Sequence, residues 1–286
     1  MTDPDGHVWK STYDAFGNAL TQTDPLGDTS RATYTALNDP ATQTDPLGNV
    51  TTLAYDAHGD IASISRPVGG KTQTTTFAHA DSADPGDVTS VTDPDGGVTS
   101  FMYDAYGDVA SKTDPSGDRT TFTYNKIGFV LSSVSPRGNV PEANPTLFTT
   151  AFSYDAFGDV ITTEDGLKHI THRTYDANRN LTSLTDPKGN KTQYSYSADN
   201  LVIAITRANG SELHNQYDGV NNLTAQVDGL GHTTAYGFDA QNRLVKITDA
   251  LGRVTSFAYD AAGNRTSRTE PPSNVTTFGY DRLVSG

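Results

Sequence analysis

The chain has 286 residues, of which 34% are hydrophobic and 9% aromatic, with 26 Gly, 14 Pro and no Cys. A formal net charge of −14 argues against nucleic acid, whose phosphates need a basic surface, and against anionic membranes. Zero Cys removes disulfides, thiolate catalysis and Cys-based metal sites. No apolar run approaches the roughly 20 residues of a membrane helix, and the N-terminal "MTDPDGHVWK" lacks the basic-then-apolar pattern of a secretory signal.

Read in chain order, the sequence alternates two punctuation marks. The first is Thr-Asp-Pro-x-Gly, seen as "TDPDG" at 2–6, then with Asp24, Pro25 and Gly27, with Asp114, Pro115 and Gly117, and with Asp186, Pro187 and Gly189. The second is Tyr-Asp-Ala-x-Gly-Asn/Asp, first met as Tyr13, Asp14 and Gly17. It returns as Tyr55, Asp56 and Gly59, as Tyr103, Asp104 and Gly107, as Tyr154, Asp155 and Gly158, as Tyr175 and Asp176, and as Tyr259, Asp260 and Gly263. The same Tyr slot is filled at Tyr34, Tyr124, Tyr196, Tyr217 and Tyr280, and by His79 and Phe238. From Tyr154 to Tyr280 every step is 21 residues. The 61–102 region is irregular, and the step from Tyr124 to Tyr154 carries an insertion at 141–149. The whole chain, 1–286, thus reads as one repeat array.

Both marks have turn mechanics. Pro presets the first corner, Gly takes the left-handed position and the Asp side chain caps the turn. Between them lie alternating runs such as "DVASKT" (108–113) and "RTTFTY" (119–124), rich in Thr, Val and aromatics. One repeat is therefore expected to be one β-hairpin, and the chain an all-β antiparallel meander of about 26 strands. Phe101 and Tyr103, Phe122 and Tyr124, Phe152 and Tyr154, Tyr194 and Tyr196, and Tyr236 and Phe238 are two apart. Each pair shares a strand face, which predicts an aromatic ladder down one side of the sheet and Thr, Ser, Gln and Arg on the other. At about 4.8 Å per strand such a ribbon would be roughly 125 Å wide, and open sheets of that width curl or close.

The chemical candidates fall to the same phase. His172 and His214 occupy equivalent slots two repeats apart, roughly 19 Å. His169 and His232 are three repeats apart, too far to share a metal. "GGKT" at 69–72 lacks the first Gly of a phosphate loop and sits in a turn slot before a strand. "DPDG" at 3–6 and 93–96 offers fewer oxygens than a calcium loop needs, and reads as turn capping. No nucleophile elbow, His-Glu-x-x-His or dinucleotide loop is present, so neither an enzyme, a metal nor a cofactor is expected.

Tyr-Asp-Ala-x-Gly-Asn alternating with Thr-Asp-Pro-x-Gly at a 21-residue period resembles the YD repeats of RHS-repeat proteins. Those proteins include bacterial polymorphic toxins, shell components of insecticidal toxin complexes, wall-associated proteins and teneurins. The resemblance covers nearly the whole chain. It implies a spiralling β-hairpin ribbon that forms a segment of a hollow shell, non-enzymatic and secreted or at the bacterial cell surface. Its implied partners are the remainder of a parent shell and an encapsulated toxin or effector domain. The chain lacks the self-cleavage segment and toxin domain of the toxin members, and reads as a fragment or shortened relative. The alternative expectation is an extracellular module that binds glycans or another cell surface through exposed Tyr and Asp/Asn side chains.

Overall fold

The protein is described by a computed structural model covering residues 1–2, 7–81 and 84–280. Among these described residues the regular structure is all β apart from two short 3-10 turns. Contacts divide the chain into two compact units, one of Ser11–Gln22 and Thr29–Ile170, the other of Met1–Lys10, Thr23–Asp28 and Thr171–Gly286.

The strands reaching from the N-terminus through the first-named unit are β1 (Lys10–Tyr13), β2 (Ala19–Thr23), β3 (Thr29–Tyr34), β4 (Pro40–Thr44), β5 (Val50–Tyr55), β6 (Ile61–Val68) and β7 (Lys71–Ala78). They continue as β8 (Ser90–Thr92), β9 (Val98–Tyr103), β10 (Val109–Thr113), β11 (Arg119–Tyr124), β12 (Val130–Val134), β13 (Thr149–Tyr154) and β14 (Val160–Glu164). The other unit carries β15 (Ile170–Tyr175), β16 (Leu181–Thr185), β17 (Lys191–Tyr196), β18 (Val202–Thr206), β19 (Glu212–Tyr217) and β20 (Leu223–Asp228). It ends with β21 (Thr233–Phe238), β22 (Leu244–Thr248), β23 (Val254–Tyr259), β24 (Arg265–Glu270) and β25 (Asn274–Thr277). Within each unit every strand pairs antiparallel with its neighbours in sequence, as in β3–β4–β5 and β22–β23–β24. The antiparallel meander expected from the period is the fold, with 25 strands among the described residues.

Two kinds of ladder alternate. Across the Tyr-Asp turn the pairing is interrupted by a bulge, as between Thr123↔Ser132 and Tyr124↔Val130. Across the Thr-Asp-Pro turn the ladder has only three pairs. In β10–β11 it runs from Thr113↔Arg119 to Ser111↔Thr121 and then stops. Those two strands are thus closely paired beside Asp114 and unpaired toward the opposite rim.

Alternation follows the residue types. In β9, Thr99, Phe101 and Tyr103 are half-buried while Val98, Ser100 and Met102 are exposed. Yet among the described residues no hydrophobic residue is buried; the buried ones are Ser111, Ser183 and Gly138. Without a buried hydrophobic cluster among these residues, turns, ladders and short cross-strand contacts must supply the order of the sheet.

Candidate functional surface

The two turn types, which the sequence distinguishes, fold alike. At Asp14 the backbone N–H donates to the Asn18 carbonyl (3.0 Å) and Gly17 N–H donates to the Asp14 carbonyl (3.2 Å). At Asp114 the same two bonds form with Asp118 and Gly117. In each turn one Asp oxygen accepts two backbone N–H groups: Phe16 and Asn18 at Asp14, Ser116 and Asp118 at Asp114, Lys188 and Asn190 at Asp186. Asp56, Asp104, Asp155, Asp176 and Asp260 act in the same way. Gly17 and Gly117 have φ of +90° and +86°, the left-handed corner that a side chain strains. Asn takes that corner at Asn38, Asn200, Asn221 and Asn242.

In the turns whose fourth residue on is Asn, His or Arg, the second oxygen of the Asp meets that side chain. At Asp14, Asp45 and Asp186 this is the amide of Asn18, Asn49 and Asn190, which holds the carboxyl below its ordinary pKa. At Asp228 it is His232 Nδ1 and at Asp165 it is His169 Nδ1, each at 2.9 Å. Arg253 does the same for Asp249. His169 and His232 therefore stand in the turn slot that Asn and Arg fill in other repeats. "GGKT" forms a two-residue hairpin, with Gly69 and Gly70 both at positive φ between paired Val68 and Lys71. Asp93 of the second "DPDG" accepts from Asp95 and Gly97; the first, at 3–6, lies outside the described residues.

The tyrosine of the repeat has a role that composition hid. Tyr124 Oη donates to the carbonyl of Val109 at 2.8 Å. Val109 lies beyond the last paired residue of the β10–β11 ladder, so the phenol bridges the strands where their backbone pairing ends. Tyr55 reaches Pro40, Tyr103 reaches Val88, Tyr196 reaches Leu181, Tyr217 reaches Val202 and Tyr259 reaches Leu244, all at 2.7–3.0 Å and all fifteen residues back. Tyr154 makes the bond to Val130 across the insertion (2.7 Å). Burial raises the phenol pKa at Tyr55, Tyr103, Tyr124 and Tyr196. His79, too short for this bond, instead sets Nδ1 3.5 Å from Asp56 with its side chain only 6% exposed.

The expected ladder of aromatic rings is not what holds the face. Phe129–Tyr154 (centroids 5.0 Å apart) is the one ring pair in contact among the described residues. The reason is register: the strands bearing Phe101, Phe122, Tyr194 and Phe257 alternate with strands that place Lys112, Ser133, Ile205 and Arg268 opposite them. Rings in equivalent slots stand two strand spacings apart, about 10 Å. Arginines fill some gaps, with Arg265 4.5 Å from the Phe278 ring and Arg243 4.8 Å from that of Tyr259. The reverse face carries facing hydroxyls nine residues apart: Thr12 with Thr21, Thr33 with Thr42, Ser65 with Thr74 and Thr123 with Ser132, at 2.6–2.8 Å.

The segment that holds the 141–149 insertion folds as two 3-10 turns, η1 (Pro136–Gly138) before it and η2 (Pro145–Phe148) within it. Asn139 anchors it, donating to the Arg119 and Val134 carbonyls (2.9 and 3.0 Å). The insertion also explains a departure from the repeat. At "EDGLK" Gly166 stands where Pro is usual, and a Cβ there would lie 2.1 Å from the Leu147 carbonyl oxygen.

Turn tips project side chains that nothing in the fold covers. Phe16, Leu37, Ile127 and Phe157 are 73–79% exposed and Tyr106 85% exposed, all at the x position of the Tyr-Asp turn. Asp87 is a different exception. Its Oδ2 is shielded without a hydrogen-bond partner, and burial, with the charges of Asp84 and Asp81, raises its pKa.

Comparison with known proteins agrees with this geometry. The RHS Repeat family matches residues 1–29, 34–71, 103–140, 154–191, 175–212, 217–252 and 238–271, together well over half of the chain. No curated protein sequence matches significantly. Among solved structures, the chain is similar to TcdB2-TccC3-Cdc42 and to TcdB2-TccC3 without its hypervariable C-terminal region. Each superposes with a TM-score of 0.68 at 16% identity, over 94% of this chain and 16% of that one. TcdB2-TccC3 itself gives 0.68 at 15% identity. These likenesses are of fold, and the chain spans about a sixth of the length of those chains.

Proposed function

The chain belongs to the RHS-repeat family, and from that premise we propose that it is a wall segment of a shell that encloses or shields a toxin or effector domain carried elsewhere in a longer protein. The observation that carries the reading is a sheet of strongly periodic hairpins in which no hydrophobic residue of the described chain is fully buried. A domain that works alone hides a core; a wall presents two faces, one to its contents and one to solvent. The half-buried face of Tyr and Phe and the reverse face of Thr and Ser hydroxyls differ enough in chemistry to serve those two sides. Rigidity comes from the repeated Tyr bridge and Asp-capped turns, which are structural and non-enzymatic roles. Secretion or display at the bacterial surface is the setting that such a shell implies.

Limited proteolysis of the longer protein tests this. The effector domain is expected to resist protease in the intact protein. It should be cut at once when the wall is opened by a specific cleavage site placed in the 136–149 insertion. Equal sensitivity before and after opening would remove the shielding role.

A further inference from the structure

The aromatic row is interrupted in several repeats, at Ser11, Arg173 and Asn215 as well as at Ala32. Two residues before the Tyr slot stand Leu53, Phe101, Phe122 and Phe152, but in β3 that position is Ala32. A pocket of about 580 Å³ opens around it, with Gln22, Tyr34, Gln43 and Arg66 in its lining. That volume lies within the range of ligand sites. At Ala32 no ring projects into this space.

The lining is chemically open. Gln43 pairs across the ladder with Ala32, which offers its amide nothing. Gln22 holds the equivalent slot 21 residues earlier. Neither amide side chain has a hydrogen bond among the described residues, and Arg66 has no acidic partner there. The corresponding Gln226 of the other unit differs, donating to Asn215 Oδ1 at 3.1 Å. Tyr34 spends its hydroxyl on the Ala19 carbonyl and offers the pocket only its ring. Asp45 also borders the pocket. Its carboxylate is occupied by Asn49 and stays ionised, so it repels an anion on its side; Arg31, also in the lining, belongs to the opposite face of β3 from Ala32 and Gln43, which leaves Arg66 as the anion's place.

Gln22 on β2 and Gln43 on β4 are two strand spacings apart, about 10 Å. An extended peptide advances roughly 3.3 Å per residue, so one lying across the strands would meet the two amides at every third residue. A Gln side chain can both donate to and accept from a peptide group. Arg66, two strands further on, matches a carboxylate with paired N–H donors. We propose that this pocket receives an extended acidic peptide segment, with main-chain amides on Gln22 and Gln43 and an Asp or Glu carboxylate on Arg66. The natural source, a stretch of the enclosed polypeptide, rests on the shell reading; the binding chemistry does not.

Titration calorimetry of the chain with blocked seven-residue peptides that carry Glu as the first or the last residue tests the pocket without any shell, because Arg66 lies four strand spacings, about six residues, from Gln22. At least one of the two should bind, and exchanging its Glu for Gln should weaken binding about tenfold or more, as for loss of a charged hydrogen bond. Arg66→Gln should abolish that preference. Ala32→Phe should abolish binding while leaving circular dichroism unchanged, because Phe already occupies this slot in β9, β11 and β13. Equal affinity for the Glu and Gln peptides would overturn the proposal. So would binding that survives Ala32→Phe, or tighter binding of free glucuronate, which would mark a sugar-acid site. Protease shielding of an effector is a separate readout, so failure here leaves the wall reading standing.

Discussion

Replacing Tyr124 with Phe removes one oxygen and nothing else. The lost interaction is the 2.8 Å bond from Oη to the Val109 carbonyl, at the point where the β10–β11 ladder has ended. A net hydrogen bond of this kind stabilises by about 0.5–1.5 kcal/mol. The carbonyl is only half-shielded, so water can partly replace the phenol, and about 1 kcal/mol is the expected loss. Tyr196 and Tyr259 make the same bond at 2.8 Å in distant repeats, so the triple Phe variant should lose about 3 kcal/mol, the sum for independent sites. The chain contains the reverse experiment. Phe238 already stands in a Tyr slot, and Phe238→Tyr should gain a bond to the carbonyl fifteen residues back, at Leu223, of about 0.5–1.5 kcal/mol. Urea unfolding followed by circular dichroism reads both changes. If Tyr124→Phe is neutral and Phe238→Tyr does not stabilise, the bridge is incidental and the Tyr slot is filled for its ring.

Three further outcomes can be checked. Gly166→Pro restores the common turn sequence but drives the new ring into the Leu147 carbonyl. It should therefore lower Tm and expose the 136–149 segment to protease, whereas the same turn tolerates Pro at Pro115 and Pro187. Stability should fall at both ends of the pH scale. Turn carboxylates such as Asp14 and Asp186 have folded pKa values below their unfolded ones. Their stabilisation is present above about pH 4 and lost as pH falls through the folded values. The bridging phenols have raised folded values, so their contribution is present below about pH 10 and lost as pH rises further; a thermal-melt series over pH shows a broad neutral plateau if this holds. Asp87→Asn should raise Tm at neutral pH, where the ionised carboxylate is shielded and faces Asp84 and Asp81, and change nothing near pH 3.

The period of Tyr13, Tyr34 and Tyr55 made the hairpin meander legible, because each turn is built from local residues whose mechanics do not depend on distant ones. Asp14 and Gly17 are readable for the same reason. The Tyr bridge was hidden, since its acceptor is a backbone carbonyl that carries no sequence signal. The clue available was that the slot takes Tyr eleven times while the position two before it accepts Phe, Tyr, Leu, Ala, Ser, Asn or Arg. The ring ladder failed because strand alternation in residue type says nothing about the strand that intervenes. Gly166 and the Ala32 pocket were also out of reach. One depends on where an insertion folds back, the other on a residue missing from a row that only the register aligns.

The enclosing wall is tested most directly by electron cryomicroscopy of the longer protein that carries this segment. The account predicts that residues 1–286 appear as part of a β-hairpin ribbon around a cavity that contains polypeptide density. A map in which both faces of the ribbon are bathed in solvent, with the effector domain outside, would contradict it.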